Sequence, residues 1–222
     1  MTVDNAVTTI ADKVSRQLAE EIISGVISPG QKLEEQNLAE KFGVSRSPIR
    51  DALRQLSGTG LVDIKPNHSV TVVDLKVNQL HDMYEALGEL EALCAKFCAQ
   101  RMTTVERKQL EELHQRSEIA VRKKSKKTYA DLNDQFHDML HQGSHNESLQ
   151  SISGELRRRL APFRRPIFFR GTKRLKNSWD EHDNVVNAIL AADAKRAHTE
   201  MGRHLVNSSL NVISYIEETR DS

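Results

Sequence analysis

Three arginines recur at every fourth position of one short segment, at Arg46, Arg50 and Arg54. Because a helix advances about 100° per residue, this spacing places them in one row. An apolar stripe lies beside the row and consists of Ile49, Ala52, Leu53 and Leu56. A guanidinium near the start of such a helix can donate two hydrogen bonds to guanine O6 and N7 in the DNA major groove, or clamp a phosphate. On an isolated helix the row would indicate only a solvated face. The neighbouring elements therefore decide whether it is a solvated face or a DNA-binding one.

Histidines in the second half of the chain occur where a metal ion could be held. Asn133 and His137 are four residues apart in a helical pattern, so they share a face and could chelate one ion. His182 and His204 lie beside apolar positions, where an imidazole is costly unless it is paired, hydrogen-bonded or metal-bound. From the residues alone, satisfied or half-exposed histidines are the commoner outcome, and His137 with His141 is a rival chelating pair.

The composition is that of an ordinary soluble globular protein, with 38% hydrophobic and 28% charged residues in a chain of 222. These proportions exclude an intrinsically disordered chain. No window approaches the roughly 18 consecutive apolar residues of a membrane span, and residues 1–10 show no export signal. Glycine, proline and aromatic residues are scarce, which favours helices over a turn-rich sandwich or barrel. The composition therefore predicts a mainly α protein without a membrane partner.

Net charge and cysteine content indicate how the chain could bind DNA and in which compartment it acts. The chain carries a net charge of +1, and residues 1–74 hold 8 basic against 10 acidic side chains, so DNA binding must come from locally placed arginines. Cys94 and Cys98 are four residues apart in a helical pattern and form no disulfide framework. They are predicted as two small buried side chains in a protein of the reducing cytoplasm.

The first 75 residues have the pattern of a winged helix-turn-helix. Apolar periodicity and glycine stops predict three helices, at about 8–24, 34–41 and 45–57. Ser45 is the predicted N-cap of the third helix, which carries the arginine row. Two β-branched runs follow, at 61–64 and 70–73, and the segment between them is predicted as the turn of a small β-hairpin, the wing. In this setting the arginine row indicates a DNA-binding helix rather than a solvated face.

The rest of the chain is predicted as a bundle. The domain boundary is predicted at residues 74–77, which gives a DNA-binding domain at 1–75 and an effector-binding and dimerisation domain at 76–222. Apolar periodicity predicts an antiparallel bundle of six to seven helices, at about 78–100, 103–123, 126–142, 146–161, 174–191 and 194–217. Residues 162–172 contain two prolines and a glycine and are predicted as a loop that could act as a lid.

Nine basic residues and no acidic one occur between residues 156 and 178. Consecutive side chains on a helix cannot all point in one direction, so most of them are predicted to form a solvated basic face. One or two are expected to point into the bundle, where they would neutralise an anionic effector.

Residues 31–62 resemble the winged helix-turn-helix of GntR-family transcription regulators. The run Gly-Val-Ser-Arg-Ser-Pro-Ile-Arg at 43–50 is the most specific part of the resemblance. It implies a homodimeric repressor or activator whose two wings bind a palindromic operator in double-stranded DNA. The DNA contacts implied by the resemblance, together with the arginine row, fall on Ser45, Arg46, Ser47, Arg50, Arg54 and His68.

The helical half resembles that of the FadR subfamily, many of whose members bind a divalent ion inside the bundle. Their ligands are an Asp or Asn, a His one turn later, and two further histidines from the last two helices. In this sequence those roles fall on Asn133, His137, His182 and His204, with Asp134 as a possible replacement for Asn133. Nitrogen ligands suit zinc or nickel, and manganese or iron would also be compatible.

The chain departs from the subfamily in ways that bear on its ligands. A basic residue is common early in the second helix, where this chain has Gln36, and the wing tip at 67–69 lacks the frequent glycine. The first helix of the bundle also lacks, within residues 83–91, the arginine expected to hold a carboxylate. A neutral Asn133 would leave more positive charge at the ion than an Asp, which favours an anionic ligand. The predicted effector is therefore a small carboxylate bound at the metal.

These features are compatible with three functions. The first is a ligand-responsive repressor of a catabolic operon, in which the effector changes operator affinity. The second is a metal sensor of the same fold, in which the ion itself is the signal. The third is a helical metalloenzyme, but no His-Glu-x-x-His motif and no nucleophile–base pair occurs in the sequence. The sequence therefore predicts a regulator and not an enzyme.

Overall fold

The computed structural model describes residues 9–66 and 69–220, except for the side chains of Arg170, Thr219 and Arg220. Within these ranges the chain forms ten α-helices and three short β-strands, and it divides into two compact units, Met1–Leu75 and Lys76–Ser222. The predicted mainly α fold class is confirmed. Across the described ranges, every helix is too short or too polar to cross a membrane.

The first unit contains a helix-turn-helix supported by a third helix. Its helices are α1 (Ile10–Ile23), α2 (Glu35–Phe42) and α3 (Arg46–Gly58). A capping box starts α1, in which Thr9 Oγ1 and Asp12 Oδ2 each accept a hydrogen bond from the other residue's backbone N–H. α2 ends at Gly43, whose φ of +64° lies in the left-handed region that glycine adopts without steric cost. This tight turn lets α3 pack its apolar stripe against α1 and α2.

The wing is part of a three-stranded antiparallel sheet. Its strands are β1 (Lys32–Leu33), β2 (Val62–Ile64) and β3 (Val70–Val72), in the order β1-β3-β2. Leu33 pairs with Val70 on one edge of β3, and Val62 pairs with Val72 on the other. The predicted hairpin is present, but β1 adds a third strand that the sequence pattern did not indicate. Two residues are too few to give a period-2 signal.

The second unit is a bundle whose helices position the histidines. Its helices are α4 (Val77–Arg101), α5 (Thr104–Arg122), α6 (Lys126–Gly143), α7 (Glu147–Arg164), α8 (Ile167–Arg170), α9 (Thr172–Leu190) and α10 (Ala194–Arg220). α4 packs most extensively against α10 and also touches α6, α7 and α9, so it lies at the centre. Cys94 and Cys98 on α4 are buried and free, as predicted.

The prediction that residues 162–172 form a loop is wrong. α7 continues through Pro162 to its end, α8 follows after a short break, and α9 begins at Thr172. Proline normally ends a helix because it lacks an N–H and clashes with the preceding turn. Here Pro162 is buried, and Arg165 holds the segment through ion pairs with Asp131 at 2.6 Å and Asp134 at 2.8 Å. Packing and ion pairs thus outweigh the local cost, and the segment does not have the form of a loop lid.

Candidate DNA-binding surface and metal centre

The arginine row lies on the exposed face of α3. The side chains of Arg50 and Arg54 are 57% and 75% exposed, and Arg46 is exposed as well. The apolar stripe of the same helix is fully buried and consists of Ile49, Ala52, Leu53 and Leu56. α3 therefore separates the two functions that its sequence pattern indicated. One face holds the core together and the other is free to meet a ligand.

Side chains of α2 orient two of these guanidinium groups. Nη2 of Arg46 donates to Oε1 of Gln36 at 3.0 Å, and Nε of Arg50 donates to Oε2 of Glu35 at 2.8 Å. Both contacts are exposed, so they restrain the side chains without holding them tightly. α2, α3 and the wing border a groove of about 610 Å³ that these residues line together with Arg54. Gln36, which replaces a common basic residue of the family, thus contacts Arg46, which is predicted to contact DNA.

The remaining predicted DNA contacts lie around the start of α3. Ser45 occupies the N-cap position with extended backbone, but its side chain makes no capping hydrogen bond. Ser45 and Ser47 are both exposed. His68, predicted at the wing tip, lies outside the described residues, as does Asn67.

Three histidines from three helices meet inside the second unit. His137 lies on α6, His182 near the middle of α9, and His204 on α10. One ring nitrogen from each lies within 4.8 Å of the other two, and the Nε2 atoms of His182 and His204 are 3.2 Å apart. All three side chains are buried. Imidazole nitrogens at such separations can ligate one divalent ion.

Carboxylates on neighbouring helices orient two of these rings. Nδ1 of His137 donates to Oε2 of Glu91 at 2.6 Å, and Nδ1 of His204 donates to Oε2 of Glu181 at 2.7 Å. A neutral imidazole with its proton on Nδ1 keeps a lone pair on Nε2. Nε2 of His137 is buried and has no hydrogen-bond partner among the described residues. A buried acceptor without a donor, beside two more imidazoles, fits a metal ion, and carboxylates are the usual supports of metal-binding histidines.

Burial sets the protonation states at this centre. It lowers the pKa of His137 and of His182 well below the ordinary value, and it also lowers the pKa of His204. Burial opposes the ionisation of Glu91, but its contacts with His137 and Arg157 hold the pKa of this carboxyl well below its usual range. The imidazoles are therefore neutral near pH 7, which is the form that binds metals.

Two arginines of α7 enter the interior beside the histidines. Arg157 and Arg164 are buried, as expected for one or two residues of this region. The prediction that most of the others form a solvated basic face is wrong, because among the described side chains only Arg158, Lys173 and Lys176 are exposed. Nη1 of Arg157 lies 3.3 Å from Oε1 of Glu91, and Nη1 of Arg164 lies 2.8 Å from Oδ1 of Asp134. Burial alone would raise the pKa of Asp134, but Arg164, Arg157 and Arg165 together lower it to about 2. Asp134 is therefore ionised, and its carboxylate is ion-paired with arginines.

Glu91 is the central residue that sequence reasoning missed. Its carboxylate contacts His137, Arg157 and also Nε2 of His141, at 3.0 Å. The sequence did contain a signal for Glu91. It is the one carboxylate on the buried stripe of α4, whose other residues are apolar or small, and it lies four residues after Leu87. The rings of His137 and His141, predicted as a rival chelating pair, both bind this carboxylate instead.

Acid is expected to destabilise the second unit. Four buried histidines have pKa values lowered chiefly by burial, namely His114, His137, His182 and His204. The unfolded chain binds protons near its ordinary histidine pKa of about 6.5, whereas the folded chain does not. Stability is therefore complete above that pH and falls below it, by up to about 1.4 kcal/mol per pH unit for each histidine.

Urea unfolding in EDTA at pH 7.5 and pH 5.5 would measure this loss. The variant His182→Gln is expected to reduce the pH dependence, whereas His81→Gln, at a largely exposed position, is expected to retain it. A free energy of unfolding that stays constant or rises on acidification would contradict the prediction.

The fold and these sites define a class of protein: a winged helix-turn-helix regulator with a helical ligand-binding unit. Comparisons with known proteins agree. Residues 10–72 match the model of bacterial regulatory proteins of the gntR family, and residues 82–207 match the FCD domain. The chain belongs to the GntR family of transcription regulators and carries a C-terminal FCD domain of the FadR type. It is a regulator and not an enzyme.

Individual relatives support the same assignment. The uncharacterized HTH-type transcriptional regulator YdhC of Bacillus subtilis (strain 168) is 26% identical over 207 residues, which cover 93% of this chain and 92% of that protein. The HTH-type transcriptional repressor RspR of Escherichia coli (strain K12) is 28% identical over 138 residues, covering 62% of this chain and 60% of that protein. The solved structure of E. coli McbR/YncC shares the fold, with a TM-score of 0.81 at 20% identity, over 95% of this chain and all of that one.

Proposed function

We propose that this protein is an effector-controlled repressor of a catabolic operon, with a small carboxylate bound at a metal ion in the FCD domain. The observation that carries the proposal is the convergence of His137, His182 and His204 beside the buried guanidinium groups of Arg157 and Arg164. RspR, a relative over part of the chain, is described as a repressor. Because it binds chromosomal DNA, the protein would act in the cytoplasm.

The operator would be contacted by the exposed face of α3. Arg46 and Arg50 lie closest to the start of the helix, where a guanidinium can make paired hydrogen bonds to guanine. Ser45, Ser47 and Arg54 would contact the phosphates, and His68 on the wing would assist them. Members of the family typically dimerise, and a dimer with two α3 helices would select a palindromic operator.

The three histidines would hold the metal ion. A site built from neutral imidazoles suits zinc or nickel, and manganese or iron would also be compatible. When bound, the ion would supply a strong positive charge to which an anion can coordinate. The histidines would hold it in place, and Glu91 and Glu181 would keep two of their rings in the required tautomer.

The charge balance of the interior favours an anionic effector. Glu91 is matched by Arg157, Asp134 by Arg164, and the half-buried Glu181 by Arg174 at 3.3 Å. A divalent ion would add two positive charges to this balanced set, and each carboxylate of an effector would offset one of them. The buried hydroxyl of Tyr84 has no hydrogen-bond partner among the described residues, and burial raises its pKa to about 12. It can therefore donate a hydrogen bond to such a ligand.

Electrophoretic mobility shifts would test the proposal. An operator duplex is first selected from random sequences by the metal-loaded protein. Binding is then measured with metal-stripped protein, with zinc-loaded protein, and with zinc-loaded protein supplemented with a panel of organic acids. A carboxylate-controlled repressor requires an acid for release from DNA, whereas a metal sensor would switch with zinc alone. If no acid in the panel changes operator affinity or binds in isothermal titration, the carboxylate effector is excluded.

We propose that two copies meet at the groove between α4 and α10. This groove has a volume of about 400 Å³, and its rim exposes Val206 and Leu210, which are 60% and 62% exposed. Large apolar side chains exposed next to each other on a helix favour association with a matching surface. The double variant Val206→Asp/Leu210→Asp is therefore expected to be monomeric in size-exclusion chromatography with light scattering.

A matched control for this surface is available on another helix. Val105 on α5 is 66% exposed, and Val105→Asp is expected to leave the dimer intact. A double variant that still elutes with the mass of a dimer would place the interface elsewhere.

A further inference from the structure

Asn133, predicted as the fourth metal ligand, makes contacts that a ligand would not make. It is buried on α6, one turn before His137. With its amide oriented so that donors face acceptors, its oxygen accepts from Nη1 of Arg164 at 2.9 Å and from Nη2 of Arg157 at 3.1 Å. Both lone pairs of the amide oxygen are then engaged by guanidinium groups.

Coordination to an ion would require the opposite orientation of this amide. The NH₂ group of Asn133 would then face Arg157 and Arg164, whose guanidinium groups have N–H donors and no acceptor. Two buried donor–donor contacts would replace two hydrogen bonds to charged groups, which are worth about 1.5–3 kcal/mol each. The arginines cannot easily turn away, because Asp134 and Glu91 hold them from other sides.

We propose that Asn133 is a positioning residue for the two arginines and that the ion is held by the three histidines alone. This inference rests on the proposed function, in which the ion and an anionic effector share the interior. Glu91 and Asp134 already pair the two guanidinium groups, and a neutral amide can gather them without adding a third negative charge, whereas an Asp at this position would add one. The Nε–H groups of both arginines have no hydrogen-bond partner among the described residues, so they can donate to a carboxylate that also contacts the ion.

Removal of Asn133 affects the order of the arginines and the affinity for the ion differently, depending on its role. If Asn133 orders the arginines, its removal leaves metal affinity nearly intact and loosens the two guanidinium groups, which each lose one hydrogen bond. If it ligates the ion, its removal weakens metal binding as the loss of a histidine does. His137→Ala provides the second case for comparison, since loss of even an outer support of a metal site costs about 10–100-fold in affinity. Asn184→Ala, at an exposed position of α9, is the matched control.

Zinc affinity would be measured by competition with a chelator for wild type, Asn133→Ala, Asn184→Ala and His137→Ala. The fluorescence of Trp179 reports binding, because it is the only tryptophan and lies one turn before His182 on α9. We expect Asn133→Ala to stay within tenfold of wild type and His137→Ala to lose more than about a hundredfold. A loss beyond tenfold in Asn133→Ala overturns the inference.

A second measurement uses the metal-free protein. In ¹⁵N-arginine NMR spectra, the slowly exchanging guanidinium N–H signals of Arg157 and Arg164 are expected in wild type and in Asn184→Ala. They are expected to exchange measurably faster in Asn133→Ala, because each guanidinium group loses one hydrogen bond, and unchanged exchange there would overturn the positioning role. In wild type, these signals are expected to survive zinc addition; their loss would show that the amide turns toward the ion. If wild type binds no zinc, the proposed metal site fails, while the metal-free spectra still decide the role of Asn133.

Discussion

Replacing Arg46 and Arg50 together with alanine is expected to abolish specific operator binding while leaving the fold intact. Each paired guanidinium–guanine contact is worth about 1–3 kcal/mol, so the two replacements cost about 2–6 kcal/mol for each half-site. Operator affinity is therefore expected to fall at least about 30-fold for one half-site, and by the square of that factor for a palindrome bound by a dimer. Both side chains are exposed, so the free energy of unfolding is expected to change by less than about 0.5 kcal/mol each.

Fluorescence anisotropy with a labelled operator would measure this loss. A control with the same change in charge is Arg122→Ala/Arg203→Ala, at positions that are 75% and 60% exposed and ion-paired within their own helices. This control is expected to bind like wild type. If the variant of Arg46 and Arg50 retained wild-type affinity for the selected operator, α3 would not be the DNA-recognition helix.

Replacing His182 and His204 together with alanine is expected to abolish zinc binding and its stabilising effect. Zinc at a hundred times its Kd would stabilise the wild-type protein by about 2.7 kcal/mol, because it binds the folded state only. With two of three imidazoles removed, that increment is expected to vanish. The metal-free variant is also expected to be less stable than the metal-free wild type, because two buried side chains are truncated.

Thermal unfolding with and without zinc separates the loss of zinc stabilisation from the loss of intrinsic stability. The zinc increment is the difference between the two metal states of one variant, so the lower stability of the metal-free variant does not enter it. His198→Ala is a suitable control, because His198 lies on α10 but is half-buried and is not one of the three converging histidines. A variant without His182 and His204 that still gains stability from zinc would show that the ion binds at another position.

Periodicity predicted the helices well where it was uninterrupted. The six helices predicted for the second unit begin and end within three residues of their predicted bounds, whereas α8 lies in the predicted loop and was not predicted. α7 was ended too early at Pro162, because local rules count the missing hydrogen bond of a proline but not the packing and ion pairs that offset it. β1 was missed for a related reason, since its two residues acquire strand structure only by pairing with β3.

Among the candidate site residues, those spaced along one helix could be predicted, whereas those brought together from several helices could not. The row of Arg46, Arg50 and Arg54 follows from spacing on one helix, and the structure exposes it as the spacing indicated. The partners Glu91 and Arg157 come from helices far apart in sequence, and their meeting depends on how α4, α6 and α7 pack. Contacts of that kind have no local signature, which is why the histidines were identified through a family resemblance and their carboxylate supports were not identified at all.

The central position of β3 in its sheet has a consequence for the wing. Thr71 of β3 pairs with Lys32 on one side and with Asp63 on the other, so the strand has no free edge. Each backbone amide of such a strand can bond to one neighbour or the other, so the whole strand becomes open to deuterium exchange only when both pairings separate, which couples its protection to the opening of the surrounding domain. The base of the wing is thus held by strand pairing on both sides of β3.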